Sequence, residues 1–354
     1  MVTVATDVMG PKRAMTSIRQ LVRSGRGGSS GYAAGMISRT RSLAVACLLV
    51  AAPLLLAQEP QAPSQVLRVF LLAGQSNMEG QAVVDLDHEQ YYNGGRGTLQ
   101  RVMKDAKDER YAHLVDKEGM WVKRDDVVVW YRAGGERLKV GELSIGYAVY
   151  DGRHHFGPEL QFGHVIGDHL REPVLLIKTA WGGKSLHKDF RPPSAEGATG
   201  PFYTRMIAEY REALGSISKH FPQFAKHQPV LTGFVWFQGW NDMVDKDATK
   251  NYADNLTDLI RDVRRDLQSP RLPVVVAETG NADSEVFRAA QKAGVTRKEF
   301  AGNALFVETR KFLRKPEDSP NTGHGHHWYG NAESYFLIGN RMGEAMRYLL
   351  KTQK

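Results

Sequence analysis

The run Leu67-Arg68-Val69-Phe70-Leu71-Leu72-Ala73 stops abruptly at Gly74-Gln75-Ser76-Asn77-Met78. An aliphatic and β-branched run ended by glycine reads as a buried strand closing in a tight turn. In an open α/β sheet, ligands collect in the crevice at the carboxyl ends of the strands. Ser76 stands two residues beyond the glycine. It either caps the helix that follows or lifts its hydroxyl into that crevice as a nucleophile.

Four further strand-like runs follow the first, at Val174–Thr179, Leu231–Phe237, Pro273–Ala277 and Ala304–Val307. Between and after them, Gly157–Leu170, Phe202–Leu214, Asn251–Leu267, Ser284–Ala293 and Ala332–Leu350 carry apolar residues at three- and four-residue spacing. Strands alternating with helices of this length imply a mostly parallel five-stranded sheet covered on both faces. The expected fold is therefore a three-layer α/β/α sandwich spanning 66–354 as one domain. The segment 81–156 is too long for a simple crossover and is rich in charge and aromatics. Within it Trp121 to Tyr131 reads as a strand and Arg137 to Gly141 as its partner, an inserted hairpin or lid beside the site. Trp121, Trp130 and Tyr131 either build a small satellite core there or stack on a sugar ring.

The first 57 residues read as a leader. Leu43 to Ala57 is an apolar stretch behind Arg39 and Arg41 that ends Leu55-Leu56-Ala57, the build of a secretory signal. Its length is about 15 residues, short of the roughly 20 that a membrane span requires. A retained membrane anchor is the competing reading, and Met36 is the more ordinary start, which makes residues 1–35 an over-extended leader. Residues 58–65 form a Pro/Gln/Ser linker. The leader holds seven Lys and Arg against Asp7, so it supplies six of the formal +8. The remainder is nearly neutral and carries no basic, aromatic-interleaved run, which argues against nucleic acid as a partner. Cys47, the one cysteine, lies inside the leader. The exported portion thus has neither disulfides nor a cysteine nucleophile.

Three later segments fall where the fold reading places loops above the sheet. Trp181-Gly182-Gly183-Lys184-Ser185 follows the second run, and paired glycines let backbone N–H groups approach a ligand closely enough to hold an oxyanion. Gln238-Gly239-Trp240-Asn241-Asp242 follows the third run, where Asn241 either offers an amide donor or stabilises its own turn. Gly323-His324-Gly325-His326-His327-Trp328-Tyr329 precedes the last helix. Three histidines so close suggest a metal, yet no carboxylate sits at close ligand spacing, and a base for Ser76 is the better explanation.

In this order, Gly-Gln-Ser-Asn-Met, Trp-Gly-Gly-Lys-Ser, Gln-Gly-Trp-Asn-Asp and His-Trp-Tyr-Gly-Asn resemble the SGNH hydrolase superfamily. The chain is most similar to its sialate O-acetylesterase and carbohydrate esterase family 6 branch, in which Gly-Gln-Ser replaces Gly-Asp-Ser. Gly157-Pro158-Glu159-Leu160, Gly200-Pro201-Phe202-Tyr203 and Phe306-Val307-Glu308-Thr309 add to the likeness, which covers Val66 to Leu350. The resemblance implies Ser76 as nucleophile and first oxyanion donor, with Gly183 (or Gly182 if the turn is shifted) and Asn241 as further donors. It implies His327 rather than His326 as base, and Gln75, Gln238 and Trp240 as substrate-binding residues.

Two positions depart from the pattern. The aspartate expected three residues before the histidine is His324, and the glutamate common after Gln-Gly is Trp240. Glu278, Glu308 and Asp242 are the candidates for the acid that orients the histidine; a backbone carbonyl serving a Ser-His dyad is the other possibility. The reaction implied is metal-independent and cofactor-free removal of acetyl groups from exported carbohydrate, of sialate or xylan type. A non-catalytic carbohydrate-binding surface protein on the same fold is the alternative, and a histidine-based metallohydrolase the second.

Overall fold

The computed structural model describes residues 65–279 and 284–352. The leader 1–57 and nearly all of the linker lie outside the described residues. Among the described residues nine strands occur in chain order: β1 (Val66–Gly74), β2 (Ala82–Val83), β3 (Arg124–Ala133), β4 (Arg137–Leu143), β5 (His155–Phe156), β6 (Val174–Ala180), β7 (Gln228–Phe237), β8 (Val274–Ala277) and β9 (Ala304–Val307). Seven of them form one sheet in the order β4-β3-β6-β1-β7-β8-β9. All neighbours in it are parallel except β3 and β4.

All five expected strands are present, and the helices Glu159–His169, Pro201–Gly215, Lys246–Asp266, Glu285–Val295 and Ala332–Thr352 occupy the expected intervals. The insertion corrects the count. Its hairpin does not stand apart as a lid, because β3 pairs in parallel with β6 and lengthens the main sheet. Side chains alternate across a strand, so Trp130 and Tyr131 enter the two opposite main cores rather than a satellite core. Trp121, partly buried, packs against the same core as Tyr131.

β1 lies at the centre with both faces covered, which explains its almost unbroken apolar sequence. Phe70 and Leu72 join one core with Phe162, Ile166, Tyr335 and Leu349; Leu67, Val69 and Leu71 join the other with Met206, Tyr252, Leu256 and Phe287. The chain lays β3, β4 and β6 on one side of β1 and β7, β8 and β9 on the other. The carboxyl end of β1 is thus a topological switch point, the place where such sheets hold ligands. Among the described residues no helix is long and apolar enough to cross a membrane.

Candidate active site

Three strand ends converge at this switch point. The Gln75 N–H donates to the Phe237 carbonyl at the end of β7 (3.3 Å), and the Trp181 N–H donates to the Gly74 carbonyl (3.2 Å). At Gly74 a Cβ would lie 2.1 Å from the Phe237 carbonyl oxygen, so only glycine lets the two strand ends approach this closely. The chain then enters a single helical turn, Ser76–Glu79, which begins with the serine.

The Gln75 side chain ties this turn to the loop after β7. Its Oε1 accepts from the N–H groups of Gly239 (2.9 Å) and Trp240 (3.0 Å). That fixes the amide orientation, and Nε2 donates to Asn241 Oδ1 at 3.4 Å. The Asn241 oxygen is thereby engaged, and its Nδ2 is left without a partner among the described residues. Gln238 is fully buried. Its Nε2 donates to Asp242 Oδ2 (2.6 Å) and the Lys184 carbonyl (2.9 Å), and its Oε1 accepts from the Tyr252 hydroxyl (3.0 Å). Gln75, at 2 % exposure, and Gln238 thus form the walls of the crevice, where the sequence reading placed them on the substrate. Trp240 is partly exposed, with its ring 5.4 Å from that of His326.

Ser76 Oγ lies 2.9 Å from Nε2 of His327, 251 positions later in the chain. When the imidazole carries its proton on Nδ1, Nε2 accepts from the serine hydroxyl. Burial, with the neighbouring His326 and His324 rings, lowers the His327 pKa to about 4, so the ring is neutral above that range. The loop carrying it is strained. Trp328 (φ 53°) and Tyr329 (φ 54°) both adopt left-handed backbone, which costs non-glycine residues roughly 1–2 kcal/mol each. Asn77 offsets this by donating from Nδ2 to the His326 carbonyl (3.0 Å) while accepting from the Tyr335 hydroxyl at Oδ1 (2.6 Å). Sequence reasoning assigned Asn77 no part. Its place inside the Gly-Gln-Ser-Asn segment was the available signal.

The three carboxylates considered as acid partners are engaged elsewhere. Asp242 accepts from the Leu186 and His187 N–H groups at 2.8 Å each and from Gln238; burial raises its pKa to about 6. Glu278 accepts from the N–H groups of Thr309 (2.8 Å) and Arg310 (3.0 Å). Glu308 is 72 % exposed beside Lys292. No carboxylate hydrogen-bonds to His327 among the described residues, and His324 fills the position three residues before it, its ring 6.2 Å away. Nor do the described residues place three or more metal-ligating side chains where they could hold an ion.

On the β6 side, Gly182 lies beside Ser76, and Gly183 has a left-handed backbone (φ 71°) with open space where a side chain would project. Below, Lys178 is fully buried, its ammonium donating to Glu159 Oε2 (2.8 Å), the Tyr147 carbonyl (2.6 Å) and the Glu79 carbonyl (2.9 Å). The crevice therefore assembles a serine, an accepting imidazole and a glycine turn beside them, parts from which acyl transfer can be built.

Comparison with known proteins gives the family of the chain. Residues 66–348 match the family described as carbohydrate esterase, sialic acid-specific acetylesterase. A probable carbohydrate esterase of Arabidopsis thaliana, At4g34215, is 24 % identical over 221 residues, 62 % of this chain and 70 % of that protein. An X-ray structure of the Arabidopsis thaliana protein AT4G34215 superposes with a TM-score of 0.51 at 16 % identity, covering 80 % of this chain and 98 % of that one. A carbohydrate acetylesterase from Xanthomonas citri superposes with a TM-score of 0.46 at 16 % identity, over 80 % of this chain and 56 % of that one. The chain belongs to the carbohydrate esterase, sialic acid-specific acetylesterase family and is a carboxylic ester hydrolase of the carbohydrate acetylesterase class.

Proposed function

We propose that the protein removes O-acetyl groups from an exported carbohydrate, of sialate or xylan type, through a Ser76–His327 dyad. Ser76 Oγ attacks the ester carbonyl carbon as its proton passes to His327 Nε2. The oxyanion is held by the N–H groups of Ser76 and Gly183 and by Asn241 Nδ2. The tetrahedral adduct collapses, the sugar oxygen leaves with the proton from His327, and an acetyl ester remains on Ser76. Water then adds to that ester with His327 again as base, releasing acetate and restoring the serine.

The 2.9 Å contact between Ser76 Oγ and His327 Nε2 carries this reading. Losing the acid of a triad lowers the rate by orders of magnitude without abolishing catalysis, so a dyad held by its own loop is chemically sufficient. Purified protein should release acetate from p-nitrophenyl acetate and from acetylated sugars, and a fluorophosphonate should label it. Ser76→Ala should lose both properties; full turnover by that variant removes the assignment. Exhaustive chelation should leave the rate unchanged, and its collapse would favour a metal centre.

A further inference from the structure

Glu79 is the last residue of the turn that begins with Ser76, and nothing in the proposed mechanism uses it. Its side chain is buried beside the nucleophile. A Cβ placed on Gly182 would lie 3.0 Å from Glu79 Oε2 and 3.7 Å from Ser76 Cβ, so the carboxylate, the nucleophile and the glycine turn meet at one point. The Gly182 N–H interacts with that carboxylate. The backbone of Glu79 is itself anchored, because its carbonyl accepts from the buried Lys178 ammonium.

We infer that Glu79 is a positioning residue for acyl transfer, gripping the Gly182 N–H so that the next peptide presents the Gly183 N–H to the oxyanion on Ser76. This rests on the reading of Ser76 as nucleophile. With the Gly182 N–H facing the Glu79 carboxylate, the donor assigned to this turn is Gly183, where the backbone is left-handed and the space a side chain would take is open. A negative charge this near an oxyanion opposes catalysis unless it is offset. Burial raises the Glu79 pKa to about 6, while the Gly182 backbone and then the Lys178 ammonium act to lower it, so the charge is partly offset. Gly-Gly after β6 then matters twice: a side chain on Gly182 would push against the Glu79 carboxylate, and Gly183 adopts a conformation that side chains disfavour.

Kinetics of Glu79→Ala and Glu79→Gln on p-nitrophenyl acetate test this. A misplaced transition-state donor lowers kcat rather than raising KM. Glu79→Ala should lose about 10- to 100-fold in kcat with KM within about twofold. Glu79→Gln, whose amide oxygen still accepts, should recover to within about threefold of wild type. Unchanged kcat in folded Glu79→Ala, or a loss confined to KM, overturns the inference. A second readout needs no turnover: in Ser76→Ala protein the Gly182 amide resonance should titrate near pH 6, and this should vanish when Glu79→Gln is added. A Gly182 amide that is flat across that range also overturns it. Wild-type protein that neither hydrolyses nor labels removes the nucleophile and this inference together; active wild type with an equally active Glu79→Ala removes this inference alone.

Discussion

Asn77 donates its side-chain N–H to the carbonyl of His326 at 3.0 Å, across 249 positions of sequence. The residue immediately after Ser76 therefore holds the residue immediately before His327. The serine turn and the histidine loop are one hydrogen-bonded unit, closed from behind by the Tyr335 hydroxyl on Asn77 Oδ1. In the proposed dyad this tie keeps the imidazole aimed at Ser76, since among the described residues no carboxylate hydrogen-bonds to it.

Asn77→Ala should accordingly lower kcat by about 100-fold, the scale of an ångström-sized misplacement of a reacting group. It strips the part-buried His326 carbonyl of its hydrogen bond and leaves the Tyr335 hydroxyl only its 3.4 Å contact with the His327 carbonyl, at a cost of about 1–3 kcal/mol. Steady-state kinetics and urea unfolding measure the two effects separately.

Asn241→Ala should slow turnover by about 10²–10³ with little change in stability, the loss expected for one oxyanion donor. Gln75→Ala should produce a similar slowing indirectly, since Gln75 donates to the Asn241 side chain and also accepts from the Gly239 and Trp240 N–H groups. If the two effects pass through one donor, the double variant should be no slower than Asn241→Ala, and a double-mutant cycle reads this out.

The acid limb of kcat/KM should lie near pH 4, the value to which burial and the neighbouring rings lower His327, and not near the ordinary histidine value of 6.5. A pH–rate profile of the free enzyme reports it.

Acid should also weaken the fold. Burial lowers His155 and His164, like His327, to about 4. The unfolded chain therefore binds more protons at these sites between about pH 6.5 and 4, and stability falls as pH drops through that window. Glu79 and Asp242, raised to about 6, act in the opposite sense, because there the native state binds the extra proton. Burial also lowers His326 and raises Glu209, so four sites against three leave a net loss on acidification. Urea midpoints at pH 7 and pH 4.5 check the sign.

The buried Lys178–Glu159 pair (2.8 Å) should be the costliest ion pair to break. Lys178→Met or Glu159→Gln leaves the partner unmatched in the interior, a loss of about 3–5 kcal/mol. Breaking the exposed Arg101–Asp105 pair should cost under about 1 kcal/mol. Chemical denaturation of the two variants should separate these magnitudes clearly.

The sequence alone determined the five parallel strands, the five long helices and the loops that carry Ser76, Asn241 and His327. The apolar periodicities, the glycines at strand ends and the motif order are local properties, and local properties are written residue by residue. It did not determine that β3 would pair with β6, because a hairpin's second edge is chosen by whichever neighbour is unpaired in space. Nor did it assign Asn77 to the histidine loop, Gln75 and Gln238 to the walls, or Glu79 to the glycine turn. Those roles depend on which amide or carboxylate finds which backbone group after the three strand ends meet. Only the folded chain brings Ser76 and His327 within 2.9 Å, since the contact is made by the sheet order and not by either segment.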